Sequence, residues 1–361
     1  MRVLYRNSAG NNLIMYQPQF TITNKILKTI GIIEAAKEVI ENSPLVPAWE
    51  AKFREEALVR TVHHGTHIEG NDLSKTEAEK VLAGHTIVGR ERDIQEVLNY
   101  RNVLKFIGDF QGKNISEEVI KHLHALVAHR MLADGQVGEY RKTQVVVKNA
   151  QTGEVTFRPP PAVEVPFLLA DFVDWVNSVG SDDLHPALKA GMVHYELVRI
   201  HPFLDGNGRV ARAVATLILF SEGYDIKRFF SLEEYYDREP MNYYDALQSV
   251  GKSQGNLNAW LEYFTEGLAI ELTRIKDKVK SLSTDLKIKK SLGGQQLSLT
   301  ERQIKIMEFI QEQGFLQNKA FFELFPQVSE DTVLRELKDL LKKGIVKKEG
   351  STKGAKYVLR T

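Results

Sequence analysis

His201-Pro202-Phe203-Leu204-Asp205-Gly206-Asn207-Gly208-Arg209-Val210-Ala211-Arg212 gathers a histidine, a carboxylate, two glycines around an asparagine, and two arginines into one short run. Gly206, Asn207 and Gly208 read as a flexible loop opening onto a helix from Arg209 to Gly223. The first amides of a helix have no internal partners, and the macrodipole favours anions there. Glycines let a phosphate approach the backbone closely. Arg209 and Arg212, three apart, project from one helix face, each offering a fork that fits phosphate oxygens. Asp205 is a hard oxygen ligand, and Mg²⁺ takes one or two carboxylates plus substrate phosphates. His201 can act as a general base near neutral pH. Together these parts suit binding a Mg-nucleotide and deprotonating an incoming nucleophile. The plainer alternative is a glycine-rich helix start with surface arginines and a structural histidine, and the joint occurrence of all five residue types argues against it. No Gly-Lys-Ser/Thr follows, so this is not a Walker loop.

Outward from this run the pattern is helical. Apolar spacing predicts helices over Ile22–Glu41, about Ala48–His67, Asp93–Phe110, Ser116–His129, Val163–Val179, Pro186–Ile200, Asn242–Ser249 and Leu257–Val279. Ser74 with Glu77 forms a capping box for a further helix. One hairpin interrupts the helices: Val145–Val147 and Val155–Phe157 flank the polar turn Asn149–Gly153, and Pro159, Pro160 and Pro161 end it. Lys276 to Gln296 reads as a linker. Beyond it, Thr300 and Gln303 make a second capping box, with helices at Thr300–Gln313, Lys319–Leu324 and Ser329–Lys343, a C′ glycine at Gly344, and strands at Ile345–Lys348 and Lys356–Leu359. Three helices and a hairpin resemble a winged helix-turn-helix.

The run from His201 to Arg212 resembles the signature of the Fic family, His-x-Phe-x-Asp/Glu-Gly-Asn-Gly-Arg-x-x-Arg, at every fixed position. Val193 to His201 resembles the helix leading into that motif, and Gly138-Glu139-Tyr140-Arg141 with the following hairpin resembles the family's flap. The resemblance covers about residues 110–265 and reaches upstream to about residue 50. It implies a mainly α fold: a Fic-type helical core with one β-hairpin flap, plus a C-terminal winged helix. It implies an N-terminal helical region over 1–110 with an inhibitory helix at about 48–70, a catalytic core at 111–265, a helical linker at 266–296 and a winged helix-turn-helix at 297–361. The implied activity is protein adenylyltransfer, moving AMP from ATP to a Tyr, Thr or Ser hydroxyl of a target protein. His201 would take the proton and Asp205 would hold Mg²⁺. Gly206, Asn207, Gly208, Arg209, Val210, Ala211 and Arg212 would bind the nucleotide, the two arginines gripping the outer phosphates. The flap would hold an extended target segment by strand addition.

Ile68-Glu69-Gly70-Asn71 is similar to the family's inhibitory motif, Ser/Thr-x-x-x-Glu-Gly/Asn, with Glu69 implied to pair with Arg212 and block the γ-phosphate. Gly65 stands where the motif has Ser or Thr, with Thr66 adjacent as a substitute. Glu69 could instead position a water for removal of AMP from a modified target. His63, His64 and His67 form a separate cluster, read as helix-surface or core residues rather than a metal site, since no complementary ligand set accompanies them. Tyr243 and Tyr244 resemble a family helix lining the adenine pocket; two core tyrosines is the competing reading.

The chain has 361 residues, 43% hydrophobic and 26% charged, as an ordinary globular protein does. It has no cysteine, which excludes disulfide scaffolds and thiolate chemistry and suits a reducing compartment. No run approaches a membrane span, and Met1–Gln19 lacks the pattern of a signal peptide, so a cytoplasm is expected; the resemblance to a Fic body with a winged-helix tail implies a bacterial one. The net charge of +1 divides into +7 over residues 271–361 and −6 over 1–270. A basic appendage allows DNA as a partner, although Glu330, Asp331 and Glu336 on the third C-terminal helix repel phosphates, leaving Arg335 as its main cation and Lys347, Lys348, Lys353 and Lys356 in the wing to touch a backbone; a protein-docking or dimerisation module is the competing reading. The rival function is thus a DNA-binding regulator using the body as a nucleotide sensor. ATP, a target protein and a second copy of the chain complete the expected partners.

Overall fold

A computed structural model describes residues 5–6, 12–13, 16–43, 45, 47–112, 114–148, 153–178, 183–282, 299–350 and 355–360. The helices are α1 (Asn24–Asn42), α2 (Pro47–His67), α3 (Lys75–Leu82), α4 (Glu91–Asp109), α5 (Glu117–Ala128), α6 (Val165–Val176), α7 (Pro186–Ile200), α8 (Asn207–Ser221), α9 (Leu232–Arg238), α10 (Pro240–Lys252), α11 (Asn258–Leu282), α12 (Glu301–Gln313), α13 (Phe321–Leu324) and α14 (Glu330–Lys342). Three two-stranded antiparallel sheets accompany them: β1 (Tyr5–Arg6) with β2 (Asn12–Leu13), β3 (Val147–Lys148) with β4 (Val155–Phe157), and β5 (Val346–Glu349) with β6 (Lys356–Leu359). The fold is mainly α, as the sequence predicts. The hairpin turn expected at 149–152, residues 283–298 of the expected linker and Lys353 lie outside the described residues.

Residues 1–37 and 55–273 pack as one compact unit, and residues 38–54 and 274–361 as another. In the first, α8 is the central rod. Its Val210, Ala211, Ala213, Val214, Leu217 and Ile218 are all buried, and it packs against α4, α5 and α7. Small side chains on a buried helix allow this close approach on several sides. Gly191 of α7 serves the same purpose, since a Cβ there would sit 3.0 Å from Leu261 and 3.1 Å from Phe264, and its carbonyl accepts from Trp260 Nε1 at 2.7 Å.

Local signals explain the ends of elements. The capping boxes Ser74/Glu77 and Thr300/Gln303 both form. α9 was not expected, although Ser231-x-x-Glu234 is a capping signature and the Ser231 hydroxyl accepts from Glu234 N–H at 3.4 Å. α8 begins at Asn207 rather than Arg209, and α2 ends at His67, as its apolar spacing predicts, short of the residue 70 to which the resemblance carries the inhibitory helix. The reasons lie in the site. The second unit has its own core of Ile306, Met307, Ile310, Leu337, Leu340 and Tyr357. There β5 and β6 pair from Val346↔Leu359 to Glu349↔Lys356, and Leu316 bridges to Tyr357.

Candidate active site

α7 stops at Ile200 because His201 turns left-handed, with φ +51° and ψ +59°. A non-glycine residue pays about 1–3 kcal/mol for that conformation and keeps it only where its surroundings hold it. Arg141 is what holds it. Its Nε donates to the His201 carbonyl at 2.8 Å, its Nη2 to the Pro160 carbonyl at 2.6 Å, and its backbone N–H to the Pro202 carbonyl at 2.9 Å. One buried arginine thus ties the end of α7 to the base of the β3–β4 hairpin.

The His201 ring is fixed as well. Its Nδ1 lies 3.2 Å from the Val198 carbonyl. A carbonyl can only accept, so Nδ1 carries the proton and Nε2 keeps its lone pair. Burial pushes the His201 pKa below its ordinary value, opposed by the Val198 hydrogen bond and assisted by the charge of Arg141. The ring is therefore a neutral base with its acceptor nitrogen free.

The turn into α8 is clamped rather than flexible. Asn207 Oδ1 accepts from Phe203 N–H, and Asn207 Nδ2 donates to the Phe203 carbonyl, both at 2.9 Å. This pair satisfies the loop backbone so early that Asn207 becomes the first helical residue. Gly206 before it takes φ +78°, and a Cβ there would meet Val127 at 2.9 Å. His124 closes the loop from behind. It stacks on Phe203 with centroids 3.8 Å apart, accepts from Gly138 N–H at Nδ1 and lies 3.2 Å from the Asp205 carbonyl through Nε2. Burial pushes its pKa down to about 4, so it stays neutral and donates from Nε2. Asn207→Ala strands the buried Phe203 N–H and C=O together, and chemical denaturation is expected to show a loss of about 2–3 kcal/mol.

The two arginines of the run are buried and differently paired. Arg209 Nη1 lies 3.1 Å from Glu96 Oε1, and its Nη2 3.8 Å from Asp205 Oδ1. Arg212 Nη2 donates to Glu69 Oε1 at 2.8 Å and to the Gly65 carbonyl at 2.9 Å. Burial works against the Arg212 charge, but Glu69 together with Tyr243 and Tyr100 outweighs it and holds the pKa well above the ordinary value. Nε of Arg209 and both Nε and Nη1 of Arg212 are buried without an acceptor among the described residues. Orphaned guanidinium donors are what a phosphate site offers, and Arg212 lines a cavity. Val210 and Ala211 bury their side chains in the core, which leaves only their backbone for a ligand.

Glu69 sits in the turn after α2, not on the helix. Thr66 Oγ1 donates back to the Val62 and His63 carbonyls at 3.0 and 3.1 Å, Asn71 N–H caps the Thr66 carbonyl at 3.3 Å, and Gly70 takes φ +92°. The Thr66 hydroxyl therefore closes its own helix, while the Thr66 carbonyl accepts from Glu69 N–H at 3.0 Å. At Gly65 a Cβ would lie 2.5 Å from Tyr100, so packing excludes Ser or Thr there.

A cavity of about 410 Å³ joins part of this set, lined by Glu69, His201, Gly208, Arg212, Tyr244 and Phe157 but not by Arg209 or Asp205. That volume is in the range of small-molecule sites. A Cβ on Gly208 would run into Glu69 Oε1. Tyr244 lines the cavity half-exposed and reaches the Ile68 carbonyl at 3.4 Å. Tyr243 also borders it but is buried, with its hydroxyl 2.8 Å from His194 Nε2 and its pKa pushed up to about 12 by burial. Tyr244 can offer a free ring face, and Tyr243 is chiefly core.

Among the described residues no group of three or more His, Asp or Glu forms a ready metal cage. Asp205 presents one half-exposed carboxylate, with Oδ1 accepting from Gly206 N–H at 2.6 Å and Oδ2 3.7 Å from Arg92. A single carboxylate beside a phosphate site fits Mg²⁺, which completes its shell with substrate phosphates and water. The histidine cluster is structural. Asp237 of α9 accepts from His64 Nδ1 at 2.7 Å and His67 Nδ1 at 2.8 Å, and burial pushes His63 down to about 4. Sequence reasoning missed Asp237, as it missed His124 and Glu96. Their partners are remote in the chain, and no local spacing marks them.

Comparison with known proteins agrees with this geometry. Residues 114–219 match the model of the Fic/DOC family. The protein adenylyltransferase Fic of Drosophila grimshawi is 35% identical over 178 residues, 48% of this chain and 35% of that protein. The protein adenylyltransferase fic-1 of Caenorhabditis briggsae is 28% identical over 301 residues, 80% of this chain and 54% of that protein. The chain thus spans about a third to a half of the curated relatives it matches. The crystal structure of a Fic family protein from Desulfovibrio desulfuricans G20 shares the fold, with a TM-score of 0.65, 24% identity, and coverage of 96% of this chain and 98% of that one.

Proposed function

We propose, from the premise that residues 114–219 form a Fic/DOC-family domain, that the chain is a protein adenylyltransferase held in check by its own Glu69. The observation that carries the proposal is the convergence of a neutral His201, the start of α8 and the buried arginine Arg212 on one cavity that Glu69 also enters. In the reaction, the oxygen of a target Tyr, Thr or Ser hydroxyl attacks the α-phosphorus of ATP, its proton passes to His201 Nε2, and pyrophosphate leaves. The amides at the start of α8 face the developing negative charge, and positioning with electrostatics supplies most of the acceleration. Arg209 and Arg212 hold the outer phosphates. Mg²⁺, held by Asp205 and the phosphates, supplies charge neutralisation when bound. The exposed edges of β3 and β4 beside the cavity suit an extended target segment.

The brake follows from the Arg212–Glu69 pair. A carboxylate already occupying that guanidinium competes with the γ-phosphate for it and repels it. ATP labelled at the α-phosphate should pass its label to protein, and ATP labelled at the γ-phosphate should not. The opposite pattern would mean phosphoryl transfer and would sink the proposal. The same assay reads pH dependence. His201 must be unprotonated to accept the proton, and its pKa lies below the usual value. Activity should therefore hold through neutral pH and fall only as pH drops below about 6.5.

The second unit supports a narrower addition. Arg335, Lys338 and Lys342 are exposed at helical spacing on α14, and Lys347 and Lys348 are exposed on β5. We read residues 297–361 as a winged helix with a basic stripe able to touch a nucleic-acid backbone. Duplex binding by the full chain that weakens steeply with salt would support this, and salt-independent or absent binding would remove it.

A further inference from the structure

We infer that Glu96 and Asn71 are positioning residues which tie the phosphate arginine Arg209 and the braking turn at Glu69 to one buried carboxylate. The inference rests on reading Arg209 and Arg212 as phosphate-binding groups, and goes beyond it by assigning what holds them. Glu96 lies on α4 with its side chain 5% exposed. A carboxylate that deep keeps its charge only where partners repay the lost hydration. Its two oxygens are divided between two tasks. Oε1 lies 3.1 Å from Arg209 Nη1 and accepts from Arg92 Nε at 3.5 Å. Oε2 accepts from Asn71 Nδ2 at 3.0 Å.

Asn71 follows Glu69 by two residues and is itself buried. Its Nδ2 also donates to the Asp93 carbonyl at 3.0 Å, its Oδ1 accepts from Leu73 N–H at 3.1 Å, and its N–H reaches the Thr66 carbonyl at 3.3 Å. The end of the turn is thereby pinned to α4. Gly70 alone stands between pinned Asn71 and Glu69, and its φ of +92° is open to glycine at no steric cost. Glu69 can then leave Arg212 by turning its own side chain while Asn71 stays in place and the Glu69 N–H stays on the Thr66 carbonyl at 3.0 Å. On the other side, Glu96 holds Arg209 Nη1, which leaves Arg209 Nη2 turned toward Asp205 and Nε without an acceptor among the described residues. Glu96 thus decides which edge of Arg209 a phosphate meets, and Asn71 decides how Glu69 is presented to Arg212.

The two roles separate by substitution in the full chain. Glu96→Gln keeps an oxygen for Asn71 and removes the charge facing Arg209. In a Glu69→Gly background it should raise both the KM and the calorimetric Kd for ATP about tenfold while kcat stays within about twofold. Asn71→Asp keeps the shape but sets a second carboxylate against Glu96. It should raise basal transfer several-fold when Glu69 is present and add nothing in the Glu69→Gly background. Asn71→Ser is read the same way if the Asp variant fails to fold. A Glu96→Gln variant that only lowers the melting temperature overturns the inference. So does an Asn71 variant with the same factor in both backgrounds. If Glu69→Gly leaves transfer absent altogether, the adenylyltransferase reading is what has failed. The Kd for ATP then still judges Glu96, and an unchanged value overturns its role.

Discussion

His201→Ala is expected to lower AMP transfer by about 10²–10⁴-fold, the usual contribution of a positioned general base, with little change in ATP affinity. The ring contributes one thing the rest of the site lacks, an unprotonated Nε2 at the cavity. Its Nδ1 is committed to Val198, and burial keeps the ring neutral. The phosphate groups of ATP are served by other parts: the amides of α8, Arg209 and Arg212. Alanine therefore removes proton acceptance without dismantling the anion site. A calorimetric Kd for ATP within about threefold of the parent, beside a collapsed kcat, is the expected signature. Equal losses in binding and rate would instead mean that His201 holds the loop together.

Glu69→Gly is expected to raise transfer by about ten- to a hundredfold, because a charge-assisted contact to a buried arginine must be broken each time a phosphate replaces it. The substitution also leaves Arg212 buried without its main counter-charge. Removing one partner of such a pair is destabilising. The variant should therefore melt lower than the parent without nucleotide, and should gain more from added ATP, since the γ-phosphate restores the missing negative charge. Thermal unfolding with and without ATP checks this. A parent and variant stabilised equally by ATP would contradict competition for Arg212.

What could be read from the sequence follows the range of the interactions. The run from His201 to Arg212 could be read as one unit because its histidine, carboxylate, helix start and arginines are all local in sequence. Capping boxes at Ser74 and Thr300 were equally readable, since each is complete within four residues. The Glu69–Arg212 pair spans 143 positions, and it was foreseen only through resemblance to a known motif. The same motif mislocated Glu69 on the helix, because the turn depends on how Thr66, Gly70 and Asn71 satisfy one another. Glu96 and His124 could not be foreseen. A buried glutamate on an amphipathic helix looks like any solvent-facing one until α8 is laid beside it. Tyr243 and Tyr244, adjacent in sequence, take different places for the same reason: one side of α10 meets the His194 core, and the other meets the cavity.

Intact-mass spectrometry of the parent, Glu69→Gly, and Glu69→Gly with His201→Ala, each incubated with Mg²⁺ and ATP, tests the central claim most directly. The account predicts an added AMP unit that is strong in Glu69→Gly, weak in the parent and absent in the double variant. Added mass that survives loss of His201, or a parent that labels as fast as Glu69→Gly, would contradict it.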